Sequence, residues 1–270
     1  MRSSEQHEFA LYYSSLSQDL ALVNKSGLQS ISINLNIKDQ LLLRRIGTVL
    51  RLRIGDSLVL FDRFISIQGL ITQISSREAC LTIQTSQAIT RLAPTIVLGL
   101  PVLKQADLEQ ALYSAVELGA TEIQLLQTAK SSVFRRNDTE GSRIERIMIA
   151  AAEQSKNFAL PKINSPLLLA DWCAFISNSQ SKTKMGSGPS VTRIALDVAG
   201  SSLRSIITSV LSPNSEKLIL VVGPEGDFID SERQLLKEAG FAFCALTPTV
   251  MRAHQAVTVG LGVFRSLLRQ

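Results

Sequence analysis

The sequence has few cysteines, few aromatic residues and no long apolar run. Its three cysteines are far apart and show no C-x-x-C spacing, which excludes a disulfide framework and a zinc cluster of the usual kind. We expect them to be buried thiols in a reducing compartment. No window holds the roughly 18 apolar residues that a membrane helix needs, and the first residues lack an apolar signal core. These absences predict a cytoplasmic protein that binds no metal.

Three catalytic signatures are also missing. The chain has two histidines and no G-x-S-x-G elbow, which argues against a serine hydrolase. It has no G-x-G-x-x-G fingerprint, which argues against a nicotinamide dehydrogenase, and no glycine-rich loop ending in lysine and a hydroxyl residue for holding phosphates. With aromatic residues at 5%, extensive stacking on nucleobases is not expected either.

The composition indicates a packed globular chain. Hydrophobic residues make up 45% and charged residues 19% of 270 residues, a length that allows one large domain or two smaller ones. The net charge of +5 is too small to identify a nucleic-acid binder. Its distribution is uneven, because residues 38–53 are rich in arginine whereas residues 223–232 carry acids and no base. The two regions are therefore expected to meet different partners.

Two organisations follow each other along the chain, which predicts an N-terminal domain over residues 1–90 and a second domain over residues 91–270. The first contains short, often alternating β segments at 30–35, 57–61, 65–74 and 79–84. They are typical of a small antiparallel barrel. Asp39 is a suitable N-cap for one helix between the first two segments.

After Ala93-Pro94, apolar β segments alternate with amphipathic helices, which predicts an α/β domain with a parallel sheet. One helix is expected to end at Gly119, another to run from about Gly141 to Pro161, and residues 177–190 to form a flexible loop. The predicted strands are 95–100, 122–126, 193–198, 217–222 and 241–246.

The loops after the last three predicted strands are the expected binding pocket, because ligands of open parallel sheets bind at the carboxyl ends of the strands. The second of these loops, within LILVVGPEGDF, is followed by four acidic residues at the start of a helix. Such acids suit the helix dipole but repel phosphate, so a cationic ligand such as S-adenosylmethionine is favoured. An ordinary loop with an acidic helix cap is the alternative.

The third loop brings Arg252 and His254 to the start of the last helix. A guanidinium can hydrogen-bond a phosphate or a developing oxyanion through its planar fork, although Arg252 could equally be a surface arginine. The imidazole of His254 could act as a general base, or simply face solvent at the start of the helix.

Five segments together resemble the RsmE family of ribosomal RNA methyltransferases, of the SPOUT class. In family order they are VLRLRIGDSLVLFD (49–62), ELGA (117–120), AAAEQSKNFALPKI (150–163), LILVVGPEGDF (218–228) and LTPTVMRA (246–253). The resemblance implies a PUA-like RNA-binding barrel, followed by a domain whose C-terminal part forms a trefoil knot around S-adenosylmethionine. It also implies a homodimer that methylates N3 of one uridine in small-subunit (16S) ribosomal RNA without a metal.

The resemblance yields three sets of expected site residues. Cofactor contacts are expected from Leu196, Ala199, Gly200, Gly223, Pro224, Glu225, Gly226, Leu246, Thr247, Pro248, Val250 and Met251. RNA contacts are expected from Arg44, Arg45, Arg51, Arg53, Lys104, Arg135, Arg136 and Arg143, with Arg44 and Arg45 foremost. The catalytic candidates are Arg252, which would stabilise charge on the uracil carbonyl oxygens, and His254.

The chain departs from the family pattern at several positions. It has Arg45 and Thr48 where histidine and a basic residue are usual, and Lys156 instead of arginine after the EQS motif. The pattern L-R-x-E-T-A reads M-R-A-H-Q-A at residues 251–256, so the arginine is kept and the glutamate and threonine are not. Two other functions therefore stay open: methylation of a different RNA nucleotide, and a non-catalytic role in RNA binding or ribosome assembly.

Overall fold

The computed structural model describes residues 8–25, 33–133, 138–181, 190–211 and 215–268. The chain divides into two compact units. Unit 1 comprises Met1–Thr90 together with Ala152–Ala159, and unit 2 comprises Arg91–Ala151 and Leu160–Gln270. A short segment far along the chain, which carries the EQS motif, thus belongs with the N-terminal residues.

Unit 1 is built on a five-stranded sheet with the strand order β1-β3-β4-β5-β2. Leucine and isoleucine side chains from the strands and from both helices form its buried core. Its elements are β1 (Phe9–Tyr12), α1 (Leu16–Lys25), β2 (Asn34–Ile37), α2 (Gln40–Arg44), a π-helical turn (Arg45–Val49), β3 (Ser57–Phe61), β4 (Ile65–Ile74) and β5 (Ala79–Ala88).

The expectation of a purely antiparallel sheet in this unit is wrong, because β1 pairs with β3 in parallel. Between these two strands the chain runs through α1, β2 and α2, and a connection of this length allows parallel pairing where a tight hairpin does not. The remaining neighbours, β3 with β4, β4 with β5 and β5 with β2, are antiparallel as expected. Within the described strands, β1 and β2 are the edges and do not pair with each other.

The predicted helix cap in unit 1 is confirmed. The side chain of Asp39 accepts a hydrogen bond from the backbone N–H of Leu42 at 2.8 Å, which satisfies a free donor in the first turn of α2. The turn before β3 contains Gly55 with a φ of 94°, a conformation that suits glycine.

Asp62 links the β3–β4 turn to the start of α1 through hydrogen bonds. Its buried carboxylate accepts hydrogen bonds from the backbone N–H groups of Ser17 (2.8 Å), Phe64 (2.7 Å) and Ile65 (2.9 Å), and from the Ser17 hydroxyl. Burial, the largest single influence, would raise the pKa of Asp62, but together these hydrogen bonds outweigh it and lower the pKa.

We expect Asp62→Asn to lower the free energy of unfolding of unit 1 by about 1–3 kcal/mol at neutral pH, because the amide has one acceptor oxygen and turns donors towards N–H groups. A carboxyl group whose pKa is lower in the folded than in the unfolded state stabilises the folded protein at pH values above the unfolded-state pKa, about 3.9 for aspartate. This stabilisation is lost as the pH falls through the folded-state pKa. The gap in urea midpoint between wild type and variant should therefore be largest near pH 7 and shrink below about pH 4. Glu78→Gln, in an exposed turn of the same unit, is the control. A gap that is constant down to pH 2 would contradict this account.

Unit 2 is a six-stranded sheet with the order β11-β9-β10-β6-β7-β8, in which every neighbouring pair is parallel. The predicted α/β fold with a parallel sheet is confirmed. Its elements are β6 (Thr95–Pro101), α3 (Gln105–Glu117), β7 (Glu122–Gln127), α4 (Asp138–Ser155), β8 (Lys162–Leu168), α5 (Leu169–Ser181), β9 (Val191–Ser202), α6 (Leu203–Ser209), β10 (Lys217–Val222), α7 (Asp230–Glu238), β11 (Ala242–Ala245) and α8 (Ala253–Leu268). The end of α4, from Ala152 onward, belongs to unit 1.

Two boundaries in unit 2 differ from the sequence prediction. Helix α4 ends at Ser155 rather than at Pro161, because Lys156 takes a φ of 58°, which cannot continue a right-handed helix. The predicted flexible loop at 177–190 begins within α5, which extends to Ser181, and residues 182–189 lie outside the described part of the chain. Gly119 does end its helix, with a φ of 73°.

The three cysteines are free thiols. Cys173 and Cys244 are buried as expected, but Cys80 is only partly buried. Burial raises the pKa of both Cys173 and Cys244 to about 11, so both are protonated at neutral pH. Among the described helices, none combines the length and the apolar character needed to cross a membrane.

Candidate functional site

A pocket of about 300 Å³ lies where β9, β10 and β11 end in unit 2. The carboxyl ends of neighbouring parallel strands meet at one edge of the sheet, which brings together loops that are distant in sequence. The pocket is lined by Leu196, Asp197, Val198, Val222, Gly223, Pro224, Glu225, Gly226, Asp227, Cys244, Leu246, Thr247, Thr249, Val250, Met251, Ala253 and Ala256.

Most of the expected cofactor residues line this pocket. They are Leu196, Gly223, Pro224, Glu225, Gly226, Leu246, Thr247, Val250 and Met251. Three others, Ala199, Gly200 and Pro248, are not part of the lining. The pocket thus contains two of the three predicted loops. The first is not a loop, because Ala199 and Gly200 lie within β9, and that strand lines the pocket through Leu196, Asp197 and Val198 instead.

Gly200 has a packing role in the sheet. A Cβ atom at this position would lie 2.5 Å from the backbone carbon of Phe243 and 2.6 Å from the backbone nitrogen of Cys244. Only glycine therefore lets the end of β9 approach β11 so closely, at the point where the register between the two strands shifts.

Several lining residues were missed by the sequence interpretation. Asp197 is the most informative, because it is a buried acid within the apolar run from Ile194 to Ala199 of β9, and that signal was present in the sequence. The others are small or apolar residues with no chemical signature, or residues next to the expected loops. They are Val198, Val222, Asp227, Cys244, Thr249, Ala253 and Ala256.

Several acidic residues near the second loop are paired with one arginine. Arg233 of α7 donates through Nε to Asp197 Oδ2 at 2.8 Å and through Nη2 to Asp227 Oδ2 at 2.5 Å, and its Nη1 lies 3.6 Å from Asp230 Oδ1. These carboxylates raise the pKa of Arg233, mainly through the hydrogen bond to Asp197. One guanidinium therefore ties the end of β9 to the loop after β10.

The two glutamates of the same segment also have partners. The carboxylate of Glu232 is buried and accepts hydrogen bonds from the backbone N–H of Ala129 at 2.8 Å and of Ile229 at 3.1 Å. Glu225 lies 3.5 Å from Lys104 Nζ in an exposed ion pair. The four acids near this loop are thus not free carboxylates, because Lys104 and Arg233 compensate part of their charge within the protein.

The second loop is also held from its other side. Lys130 Nζ donates to the backbone oxygen of Gly226 at 2.7 Å, and a Cβ atom at Gly226 would come within 2.8 Å of the Lys130 side chain. Asp227 has a φ of 63°, a left-handed conformation that favours glycine, and its carboxylate accepts from the N–H of Phe228 at 2.8 Å. The loop is therefore fixed by its own contacts.

The two catalytic candidates lie beside the pocket and not in its lining. Arg252 is exposed and sits between two lining residues, Met251 and Ala253. His254 is half-buried, and its Nδ1 lies 2.8 Å from Asp107 Oδ1 of α3, an ion-pair distance without hydrogen-bond alignment. The imidazole thus has a neighbour that the sequence did not suggest, and its assignment as a general base stays a prediction.

One of the two foremost RNA-binding candidates has an internal partner. Arg45 forms a bidentate ion pair with Glu153 of the EQS motif, in which Nη1 donates to Oε1 at 2.8 Å and Nη2 donates to Oε2 at 2.6 Å. Glu153 also accepts a hydrogen bond from the backbone N–H of Tyr12 at 2.9 Å. The hydrogen bond to Glu153 raises the pKa of Arg45. Arg45 therefore joins Ala152–Ala159 to the rest of unit 1, and it is not free to hold a phosphate as expected.

The other basic candidates divide into three groups. Arg44, Arg51 and Arg53 are exposed in unit 1. In unit 2, Lys104 lies beside Glu225, and Arg143 forms an ion pair with Glu109 at 2.5 Å. Arg135 and Arg136 lie outside the described residues. Elsewhere in the described chain, no group of three or more potential ligands could hold a metal ion.

Comparison with known proteins bears on this pocket directly. The family model of the RNA methyltransferase domain matches residues 91–265, which include every residue of the pocket. The chain belongs to this family. The RNA methyltransferase domain therefore covers most of unit 2.

Two curated relatives extend the similarity beyond this domain. The chain is 26% identical over 220 residues to ribosomal RNA small subunit methyltransferase E of Synechocystis sp., covering 82% of this chain and 69% of the relative. It is 27% identical over 237 residues to ribosomal RNA small subunit methyltransferase E 2 of Borreliella burgdorferi, covering 86% and 91%. The resemblance to the RsmE family that the motifs indicated is confirmed.

A solved structure shows the same fold over nearly the full length. Ribosomal RNA small subunit methyltransferase E of Neisseria gonorrhoeae, bound to S-adenosyl methionine, superposes with a TM-score of 0.74 at 20% identity. The match covers 97% of this chain and 98% of the other. The chain thus shares its fold with this solved structure.

Proposed function

We propose that this RNA methyltransferase-domain protein transfers the methyl group of S-adenosylmethionine to N3 of one uridine in small-subunit (16S) ribosomal RNA. The observation that carries the proposal is the pocket formed by β9 and the loops after β10 and β11, which lies wholly within the residues matched to the family. The relatives named ribosomal RNA small subunit methyltransferase E support the choice of substrate.

The pocket suits an adenosine ligand in its chemistry. Its walls include apolar side chains such as Leu196, Val222 and Leu246, against which an adenine ring can pack. The backbone of Gly223–Gly226 and the carboxylates of Asp197 and Asp227 supply polar groups at its edge. When bound, S-adenosylmethionine supplies an electrophilic methyl group, and we assign its binding to the pocket lining together with Ala199, Gly200 and Pro248 of the same loops.

The protein's part in methyl transfer is mainly positioning. The acceptor nitrogen has to be held in line with the donor carbon, and no covalent nucleophile is needed. Uracil N3 loses its proton during the reaction, so negative charge develops on the flanking carbonyl oxygens. We assign Arg252 to these oxygens, because its exposed guanidinium follows directly on the pocket residue Met251.

We retain His254 as the second catalytic candidate, the acceptor of the uracil proton. Asp107 Oδ1 lies 2.8 Å from its Nδ1, close enough to orient the ring once the two groups align for a hydrogen bond. That contact also ties α8 to α3, so His254 has a structural role whichever group takes the proton.

Unit 1 is proposed to be a PUA-like RNA-binding domain. The proposed bounds are residues 1–90 for this domain and residues 91–270 for the methyltransferase domain. The exposed Arg44 and Arg53 supply its phosphate contacts, joined by Lys104, Arg135, Arg136 and Arg143, and Arg51 is a further RNA contact. We further infer a C-terminal trefoil knot, a homodimer and a cytoplasmic location. The close approach of β9 to β11 at Gly200 and the fold shared with a known methyltransferase support the knot.

The proposal predicts that purified protein, S-adenosylmethionine and small ribosomal subunits from a strain lacking the corresponding gene yield one new 3-methyluridine. Mass mapping of the nuclease-digested RNA identifies the nucleotide, and subunits from the complemented strain, already modified, are the matched control. Methylation of another nucleotide would support the alternative target. Binding of S-adenosylhomocysteine without methyl transfer to any RNA would contradict the proposed reaction.

A further inference from the structure

A second hollow, of about 360 Å³, lies in unit 1 and shares no residue with the methyltransferase pocket. It is formed by the N-terminal side of β1, the chain after the π-helical turn, the start of β3 and the middle of β4. Its lining combines apolar side chains with an arginine, two acids, a serine and a glutamine: Glu8, Phe9, Leu50, Arg51, Leu52, Asp56, Ser57 and Gln68.

Arg51 is held in a costly backbone conformation at the edge of this hollow. Its φ is 56°, a left-handed value that costs a non-glycine residue of order 1 kcal/mol. The neighbouring residues fix it there, because Leu50 N donates to Arg45 O at 2.9 Å and Leu52 N donates to Ile46 O at 3.0 Å. Such strain persists where the surroundings impose it and is common at ligand-binding sites. In the described part of the chain, no side chain pairs with the Arg51 guanidinium.

The other polar groups of the hollow are mostly acceptors. Gln68 Nε2 donates to Glu8 Oε1 at 2.7 Å and to Ser57 Oγ at 3.4 Å, and Glu8 Oε2 accepts from Lys156 at 3.1 Å. Asp56 Oδ2 accepts from the backbone N–H of Arg53 at 2.7 Å. A carboxylate has about four acceptor positions, so both acids keep capacity for a ligand. Two acids at one site repel a phosphate and favour a neutral ligand that carries N–H donors.

We propose that this hollow binds one unpaired guanine of the RNA substrate. Guanine presents adjacent N1–H and N2–H donors that a carboxylate can accept, and its O6 is an acceptor for a guanidinium such as that of Arg51. Uracil presents carbonyl oxygens on both sides of its single donor, and these would face the acids. Phe9, Leu50 and Leu52 supply apolar surface for the base, as expected for recognition of splayed-out bases in single-stranded RNA.

The proposal rests on the proposed function only for its choice of RNA as the ligand. The guanine bound by unit 1 belongs to a different nucleotide from the uridine that receives the methyl group. The enzyme would therefore recognise two nucleotides of its substrate, one in each unit.

The test compares heptamers of single-stranded RNA that differ only at the central base, titrated into the full-length protein without S-adenosylmethionine. We expect the guanosine heptamer to bind about tenfold more tightly than the inosine heptamer, which lacks only the N2 amino group, and than the uridine heptamer. Equal affinities for guanosine and uridine would overturn the proposal.

The decisive variant is Arg51→Gly, because glycine accepts a φ of 56° without strain and the fold is kept. We expect this variant to bind the guanosine heptamer about tenfold more weakly, because the contact to O6 is lost, while its urea midpoint stays equal to or above that of the wild type. Arg77→Gly, which removes an exposed arginine from the β4–β5 turn, should keep the wild-type affinity. Wild-type affinity of Arg51→Gly for the guanosine heptamer would also overturn the proposal.

This outcome is separable from failure of the proposed function, because base preference is measured without methyl transfer. Wild-type protein that methylates subunits but shows no base preference would refute the guanine site alone. Protein that prefers guanosine but methylates no RNA would refute the proposed reaction alone.

Discussion

Arg252→Ala should lower the rate of methyl transfer by about 10²–10³-fold while leaving affinity for S-adenosylhomocysteine close to that of the wild type. Removal of a single group that stabilises a developing oxyanion has effects of this size in other enzymes. Because Arg252 is exposed and lies outside the pocket lining, its loss should not disturb the bound cofactor. Single-turnover methylation and calorimetry measure the two quantities separately.

The matched control is Arg204→Ala, which removes an exposed arginine of α6 in the same unit. It should retain the wild-type rate. Arg252→Lys keeps the charge but loses the planar fork, so an intermediate rate is expected. Near-normal turnover of Arg252→Ala would reject the assignment. An equal loss of rate in Arg204→Ala would mean that the rate depends on the net positive charge of the protein and not on an arginine at position 252.

Arg233→Met should lower the free energy of unfolding of unit 2 by about 3 kcal/mol, because it leaves the buried carboxylate of Asp197 without its cation. The Asp197 side chain is only 2% exposed, whereas Arg233 keeps 26%, so the expected loss lies at the lower end for broken buried pairs. The same change releases the tie between the end of β9 and Asp227, so the affinity for S-adenosylhomocysteine should fall as well. Urea denaturation and calorimetry give both values.

A second substitution separates charge from packing. Asp197→Asn in the Arg233→Met background removes the unpaired charge, so the double variant should regain much of the lost stability. Arg204→Met, at an exposed position of α6, is the control for the new methionine. A double variant that is less stable than Arg233→Met would show that the pair does not act as proposed.

Local sequence pattern predicted the strands of both units where apolar residues dominate. The predicted strands 57–61, 65–74 and 217–222 coincide with β3, β4 and β10. The pattern failed for β8, whose edge position leaves most of its residues partly or fully exposed and which contains Pro166. An edge strand needs apolar residues on one face at most, so its sequence carries a weak signal.

The site residues show a second limit of sequence analysis. The loops of the pocket were found because strand ends in a parallel sheet converge by rule, whatever their side chains. The role of Arg45 was not found, because its partner Glu153 is 108 positions away along the chain. Nothing in the local sequence distinguishes an arginine held by such a partner from one that is free to bind RNA.

The position of β10 in the sheet has a consequence for biosynthesis. β10 lies between β6 and β9, so a strand from the last quarter of the sequence fills the centre of the sheet. During translation, the β6-β7-β8 half keeps an unpaired edge until residues 217–222 have left the ribosome. Pairings between such distant segments form slowly. Nascent chains that stop before β10 should therefore lack the pocket formed by β9, β10 and β11. Until β10 is synthesised, the unpaired edge of β6 stays accessible to chaperones.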